Sequence, residues 1–364
     1  MNVSFIISII ILVFTVSLFV FNNYNDVVTN EFVFGYDEGF AKPIAERCNL
    51  EEITQLRSPL RHVLYCISDN LFENIRVLPF LFSIMIFPLV FILAYQLTKN
   101  WLATSLSLLI LSTDRIMMYL VSTVSGDPTW CVFLFVSIIM VQAGKKFGGV
   151  PFIFSMLHKP LTLLYLPPLI YQTLKVNKYN KFIIIELSFI LIFSILSLIF
   201  IGQQFVEYDG VVFDYNDIHQ ILVNFVYIFR HDMFFLLVIF PFSVMGLFLM
   251  RKTHTVNSKV ILFYILWNII LIFSIPLFTI YDVVDYRMLP LIIFSSIGSG
   301  WFMSFLFDKI RNTDVISKHH IIKTSIVLLV LLLLTPLIYY LNYMIGGLPL
   351  YNISFPIDVF GWLR

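Results

Sequence analysis

Apolar runs of near-spanning length alternate with short polar breaks along almost the whole chain. The first runs from Val3 to Asn22, and the second from about Val77 to Leu97, ending at Lys99-Asn100. About 20 apolar residues suffice to cross about 30 Å of hydrocarbon, so each run predicts a membrane-spanning helix. Further spans are predicted near 182–201, 232–250, 260–280, 288–306 and 324–343. Between the second and these lie interrupted segments. Trp101 to Ser112 begins a span that Asp114-Arg115 interrupts, and Gly126-Asp127-Pro128 opens another that reaches about Val141, before Lys145-Lys146. Gly148 to Leu157 is too short to cross comfortably, His158-Lys159-Pro160 breaks it, and Leu161 to Leu174 resumes. Backbone that is not helical at membrane depth is tolerated only where protein buries it or a wet cavity adjoins it, so these breaks point to a cavity. The pattern predicts an all-α polytopic membrane protein of about eleven spans.

The polar stretch from about 23 to 76 differs from the other loops in length and in pattern. Its scattered Ile, Leu and Phe predict two amphipathic helices, roughly 38–48 and 58–72, of the kind that lie in the plane of the interface. The stretch contains Gly35-Tyr36-Asp37-Glu38-Gly39-Phe40, two adjacent carboxylates at a membrane face. The first span lacks a basic leading region, and no small-residue cleavage site precedes Asn22-Asn23-Tyr24, so it reads as a retained helix.

Composition agrees: of 364 residues 59% are hydrophobic and 12% charged, against about 25% charged in soluble chains. The net charge of +1 is uninformative, whereas its distribution is not. With a cytoplasmic N-terminus the inner loops hold Lys99, Lys145, Lys146, Lys175, Lys178, Lys181, Arg251, Lys252, Lys259, Lys309, Arg311, Lys318 and Lys323, thirteen of the 23 basic residues. Short basic loops on one side are what the positive-inside rule asks. The other face collects most acids, with Glu207, Asp209, Asp214 and Asp217 in one loop, while Glu186 falls within a span. No Lys/Arg-rich tail suggests nucleic acid, and no soluble domain of useful size or internal repeat stands out.

On this assignment Asp37-Glu38, Asp114-Arg115, Asp127, His158-Lys159, Arg230-His231-Asp232 and Tyr286-Arg287 share the outer face. Asp37 reads either as a hydrated or helix-capping carboxylate or as a functional group, and ionisable groups converging at a membrane face favour the second. Arg57, Arg61, Arg76, Arg115 and Arg230 can snorkel to lipid headgroups. Lys159 and Arg287, beside Pro160 and close to Pro290 at the start of spans, suit phosphate binding better. His158 reads first as a capped or hydrated residue. No metal-binding, Walker or nucleophile-elbow motif occurs. Cys48 and Cys66 share the outer loop and could pair in an oxidising compartment; Cys131 lies within a span.

The order of these features resembles the GT-C superfamily of membrane glycosyltransferases, and within it the protein O-mannosyltransferase and aminoarabinose transferase branch. The likeness covers about residues 1–305. It rests on Tyr36-Asp37-Glu38-Gly39-Phe40 in the first outer loop, then Ser58-Pro59-Leu60 and Glu73-Asn74-Ile75-Arg76 before the second span. Gly126-Asp127-Pro128 at the fourth span, His158-Lys159-Pro160 in a short outer turn and Tyr286-Arg287-Met288-Leu289-Pro290 complete it. The large soluble outer domain of some relatives is missing. Residues 306–364 would then form a cytoplasmic loop, a last span and an outer tail.

The resemblance implies a GT-C-type helix bundle that moves a sugar, with inversion, from a polyprenyl-phosphate carrier (dolichyl or undecaprenyl) to a glycan, lipid or protein acceptor. It implies a multi-pass protein of the plasma membrane in a prokaryote or the endoplasmic reticulum in a eukaryote, with its site on the outer or lumenal face. A phosphate leaves without a proton from an acid, so one base suffices in place of the carboxylate pair that glycoside hydrolysis uses. Asp37 takes that role, with Glu38 orienting acceptor or sugar. Lys159 and Arg287, with Arg57, Arg61 and Arg115 behind them, would hold the donor phosphate. Asp127, His158 and Tyr286 would touch substrate. No cofactor is required, although the oligosaccharyltransferase branch uses a divalent metal. Two rival readings remain: a transporter or flippase of a lipid-linked saccharide, since broken helices also mark transporters, and a catalytically silent assembly subunit.

Overall fold

The computed structural model of the protein describes residues 3–28, 35–54, 56, 58–114, 117, 128–176, 188, 190–192, 195, 235, 239–278 and 288–312. Among the described residues there is no strand. The first half holds α1 (Val3–Val28), α2 (Gly35–Arg47), α3 (Leu50–Thr54), α4 (Pro59–Phe72), α5 (Val77–Thr98) and α6 (Trp101–Leu111). Then come α7 (Thr129–Gln142), α8 (Val150–His158), a 3-10 turn (Pro160–Tyr165), α9 (Leu166–Val176), α10 (Phe240–Met250), α11 (Thr255–Phe278) and α12 (Leu289–Asn312). Among the described residues four helices, Ser4–Tyr24, Val77–Thr98, Thr255–Ile272 and Leu289–Lys309, are long and apolar enough to cross a membrane. The spans expected near 182–201 and 324–343 lie largely or wholly outside the described residues.

The first helix does not stop at Asn22. It continues to Val28, with two groups of its polar end met from within the protein: Asn23 Nδ2 donates to Phe19 O at 2.8 Å, and Asn74 Nδ2 donates to Val27 O at 2.6 Å. Ser8, Ile11, Thr15, Phe19, Asn23 and Val27, three or four residues apart, form its buried stripe, while Ile6, Ile10, Val13 and Phe21 are exposed. The buried face thus carries polar side chains set among apolar ones, although Ser4 and Ser17 are exposed. Ser8 Oγ lies 2.8 Å from Ser105 Oγ on α6, the kind of interhelical contact that holds helices together where lipid is as apolar as the core.

The hairpin between α5 and α6 follows from Lys99-Asn100. Lys99 takes the left-handed conformation, and Asn100 Oδ1 caps α6 by accepting from Leu102 N at 2.9 Å and Ala103 N at 3.2 Å. Hydrogen bonds then gather one end of the bundle. Asn100 Nδ2 reaches Ser304 Oγ on α12 at 3.0 Å. Gln142 Nε2 reaches Asn257 Oδ1 at 3.1 Å, and Asn257 Nδ2 reaches Leu97 O at 2.8 Å. Lys99, Lys145, Lys175, Arg251 and Lys252 sit beside these helix ends.

From that end α5 rises 22 residues, about 33 Å. Other helices of the bundle are shorter: α6 has 11 residues and α8 has 9, about 16 and 14 Å. The 14 residues of α7 span about 21 Å. The helix breaks expected at Asp114 and at His158-Lys159-Pro160 therefore fall partway along the bundle.

Candidate active site

The acidic motif lies on α2. The helix begins at Gly35, earlier than the hydrophobic pattern implied, so Asp37 and Glu38 occupy its first turn and are not a flanking loop or cap. An acid there suits the positive end of the helix dipole. Asp37 stands one and two turns ahead of Ala41 and Ala45, which pack with Tyr65 and Ile75 in a small core. A second core joins Ile44, Ile53 and Cys66. Cys48 and Cys66, left open by the sequence, form a disulfide with their Cα atoms 5.4 Å apart. Two cores and a covalent link thus fix α2 on α4.

The amphipathic α4 buries His62, Tyr65, Cys66 and Ser68, close to the 58–72 expected. Arg61 Nε donates to Tyr65 Oη at 2.7 Å, and its guanidinium carbon lies 5.4 Å from the Tyr65 ring centroid. Tyr65 is fully buried against α2. One side chain therefore holds Arg61 and packs under the helix that carries Asp37. A polar knot follows: Ser68 Oγ donates to Asn74 O at 2.7 Å and accepts from Leu78 N at 3.0 Å, and Asn74 Oδ1 accepts from Arg76 N at 2.9 Å. It sets Arg76 at the head of α5, where only 2% of the residue is exposed. Arg76 does not snorkel to lipid. Sequence reasoning gave it no role, because an Arg at the edge of a span ordinarily does so.

His158 and Lys159 close the break that the sequence located. Lys159 leaves the helix in an extended conformation, and its Nζ lies 5.8 Å from the Trp130 ring centroid. Ser155 Oγ donates to Trp130 O at 2.5 Å, tying the end of α8 to the start of α7. Trp130 is 3% exposed, and its Nε1 has no hydrogen-bond partner among the described residues. A buried N–H beside a cation is a place for an oxygen acceptor. His158 and Asp114 are fully enclosed; Asp114 Oδ1 accepts from Met117 N at 2.9 Å.

Packing joins these parts: α2 rests on α4, and α4 touches both α5 and α8. The elements bearing Asp37, Glu38, Arg61, Arg76, His158 and Lys159 thereby form one assembly. Arg57, Arg115, Asp127, Tyr286 and Arg287 lie outside the described residues, next to the described Ser58, Asp114, Pro128 and Met288. Trp130 was missed as a candidate, and Asp114, placed with Arg115 on the outer face, was given no role; the available signal was an aromatic or an acid beside a helix break. Among the described residues no three His, Cys, Asp or Glu side chains gather as a metal site would require. No protein-family model, no curated protein and no solved structure matches the chain.

Proposed function

We propose that the chain is an inverting membrane glycosyltransferase that takes a sugar from a polyprenyl-phosphate carrier, with Asp37 as general base. The observation that supports this best is the packing of the acid-bearing α2 on α4 and of α4 on α8, beside Lys159. Those contacts bring a carboxylate-bearing helix and a cation-bearing turn into one assembly, as base and leaving-group stabiliser must be. The buried Trp130 N–H next to Lys159 offers a further donor to a bound oxygen. The charge pattern supports an orientation with the Lys99, Lys145 and Arg251 end cytoplasmic and the site on the outer or lumenal face, within a GT-C-type bundle of about eleven spans.

The test is the purified protein with a panel of polyprenyl-phosphate sugars, reading released lipid phosphate. A transferase releases it, whereas a flippase or a silent subunit does not. In the same assay Lys159→Ala or Arg287→Ala weakens donor binding about ten- to a hundredfold, the loss of about 1.5–3 kcal/mol for one hydrogen bond to a charged group. Unchanged affinity in both moves the phosphate to Arg57, Arg61 or Arg115.

Orientation has its own check. Lys145→Cys and Lys318→Cys proteins stay shielded from an impermeant thiol reagent added outside, and Asp214→Cys reacts. Outside labelling at position 318 would sink the assignment of the faces and with it the outer site.

A further inference from the structure

Two adjacent prolines leave a gap in the backbone just after the Lys159 break. The carbonyl of Leu164 would take the N–H of residue 168 in an α-helix, or of residue 167 in a 3-10 turn. Both are proline, Pro167 and Pro168, and neither has an N–H to give. In a setting this apolar an unmet carbonyl is costly. The donor comes from 103 residues away: Trp267 Nε1 on α11 reaches Leu164 O at 2.6 Å. The next residue of α11 takes the next residue of the turn, for Tyr165 Oη donates to Asn268 Oδ1 at 2.6 Å. Asn268 is itself held, its Nδ2 donating to Tyr264 O at 2.7 Å.

Behind this clamp a line of neutral side chains fixes α11 against its neighbours. Tyr264 Oη donates to Gln172 Oε1 at 3.0 Å, and Gln172 Nε2 donates to Gln142 Oε1 at 2.9 Å. Gln142 then bonds Asn257, which bonds Leu97 O. Ahead of the clamp the turn is short. Thr162 N donates back to Lys159 O at 2.9 Å, and Ser155 Oγ lies 3.2 Å from Thr162 Oγ1. Tyr165, which Asn268 holds, also packs its ring 6.0 Å from the Trp130 ring centroid, so one side chain lies between α11 and the seat of Lys159.

We infer that Trp267 and Asn268 are positioning residues that hold the Pro160–Tyr165 turn so that Lys159 stays over Trp130. The consequence for donor binding rests on the function proposed above; the placement of Lys159 does not. Trp267→Phe keeps an aromatic ring and removes the N–H, and Asn268→Leu removes the acceptor with little change in size. Neither touches Lys159 or Trp130.

The test uses the full-length protein in detergent, grown with 5-fluorotryptophan and assigned by Trp→Phe substitution. The fluorine resonance of Trp130 reports whether a cation lies on its face, and Lys159→Met gives the reference without one. In Trp267→Phe/Asn268→Leu the Trp130 resonance shifts towards that reference, and binding of undecaprenyl phosphate falls roughly two- to tenfold. Asn268→Leu alone gives the same shift in smaller measure and serves if the double variant does not fold; Tyr165 is left unchanged because its ring packs on Trp130. A Trp130 resonance that stays at the wild-type position in the folded variants overturns the inference, whatever their affinity. A resonance that moves while Lys159→Met binds the lipid as wild type does upholds the positioning role and removes Lys159 from donor binding.

Discussion

On the function proposed above, Asp37→Asn lowers sugar transfer about 10²–10⁴-fold, the usual contribution of a general base, while donor binding and folding survive. The substitution keeps the size of the side chain and much of its hydrogen bonding, and it removes the ability to accept a proton. Folding survives because α2 is held mainly through its later turns, by Ala41, Ala45, Ile44 and the Cys48–Cys66 link. The charge at the first turn contributes about 0.3–1 kcal/mol through the helix dipole, which is small beside those anchors. Glu38→Gln costs less if Glu38 only orients substrate. A purely structural Asp37 gives the reverse pattern: near-normal turnover and a lowered unfolding temperature, more so in Asp37→Ala. Turnover and thermal unfolding measured on the same preparations separate the two. A folded Asp37→Asn protein with near-normal turnover removes Asp37 from the chemistry and leaves Glu38, then Asp127, as the bases to examine.

What could be read from the sequence was local. The ends of α4 and α5 and the break at Lys159 follow from amphipathic spacing, from the length of apolar runs and from proline, all of which act within a few residues. The start of α2 was set too late because Gly35 and Gly39 weaken the helical pattern, and α1 was ended too soon because Asn22 and Asn23 read as loop. Asn23 and Val27 are satisfied by Phe19 and by the distant Asn74, and no window around residue 23 contains Asn74. The faces of the helices were illegible for a related reason. A helix that meets lipid on one side and protein on the other is apolar all round. In α1 the small polar residues do not decide which side is inside, since Ser8, Thr15 and Asn23 are buried while Ser4 and Ser17 are exposed. The site divides in the same way. Asp37 and Lys159 announce themselves as charges at breaks, whereas the burial of Arg76 depends on the knot of Ser68 and Asn74, and the hold on Leu164 depends on a tryptophan 103 residues on.

Gly246→Ala and Gly298→Ala each destabilise the folded protein by about 3 kcal/mol or more, at or beyond the upper part of the range for overpacking. The reason is where the new methyl goes. A Cβ on Gly246 collides with the carbonyl of Gly298 across the α10–α12 contact, and a Cβ on Gly298 collides with the side chain and backbone of Ser243. Backbone cannot rotate away as a long side chain can, so the two helices must separate. Separation breaks the bond from Ser299 Oγ to Ile239 O, 2.6 Å long, on the same interface. On the opposite flank of α12, Gly300 meets Ala103 O and Ser107 of α6 in the same manner, so α12 is wedged between two neighbours and cannot relieve one by moving towards the other. Close approach through small residues is how helices associate where lipid supplies no hydrophobic drive. The strain also reaches the site, because α6 leads to Asp114 and α12 begins two residues after Arg287. Gly148→Ala is the milder comparison: its Cβ meets Val141 at 3.1 Å to the side chain and 3.2 Å to the backbone N, contacts that ease with a small shift, and it costs less. Thermal unfolding in detergent, with the monodisperse fraction read by size exclusion, ranks the variants. Gly246→Ala or Gly298→Ala unfolding at the wild-type temperature would mean that α10 and α12 are not in this contact.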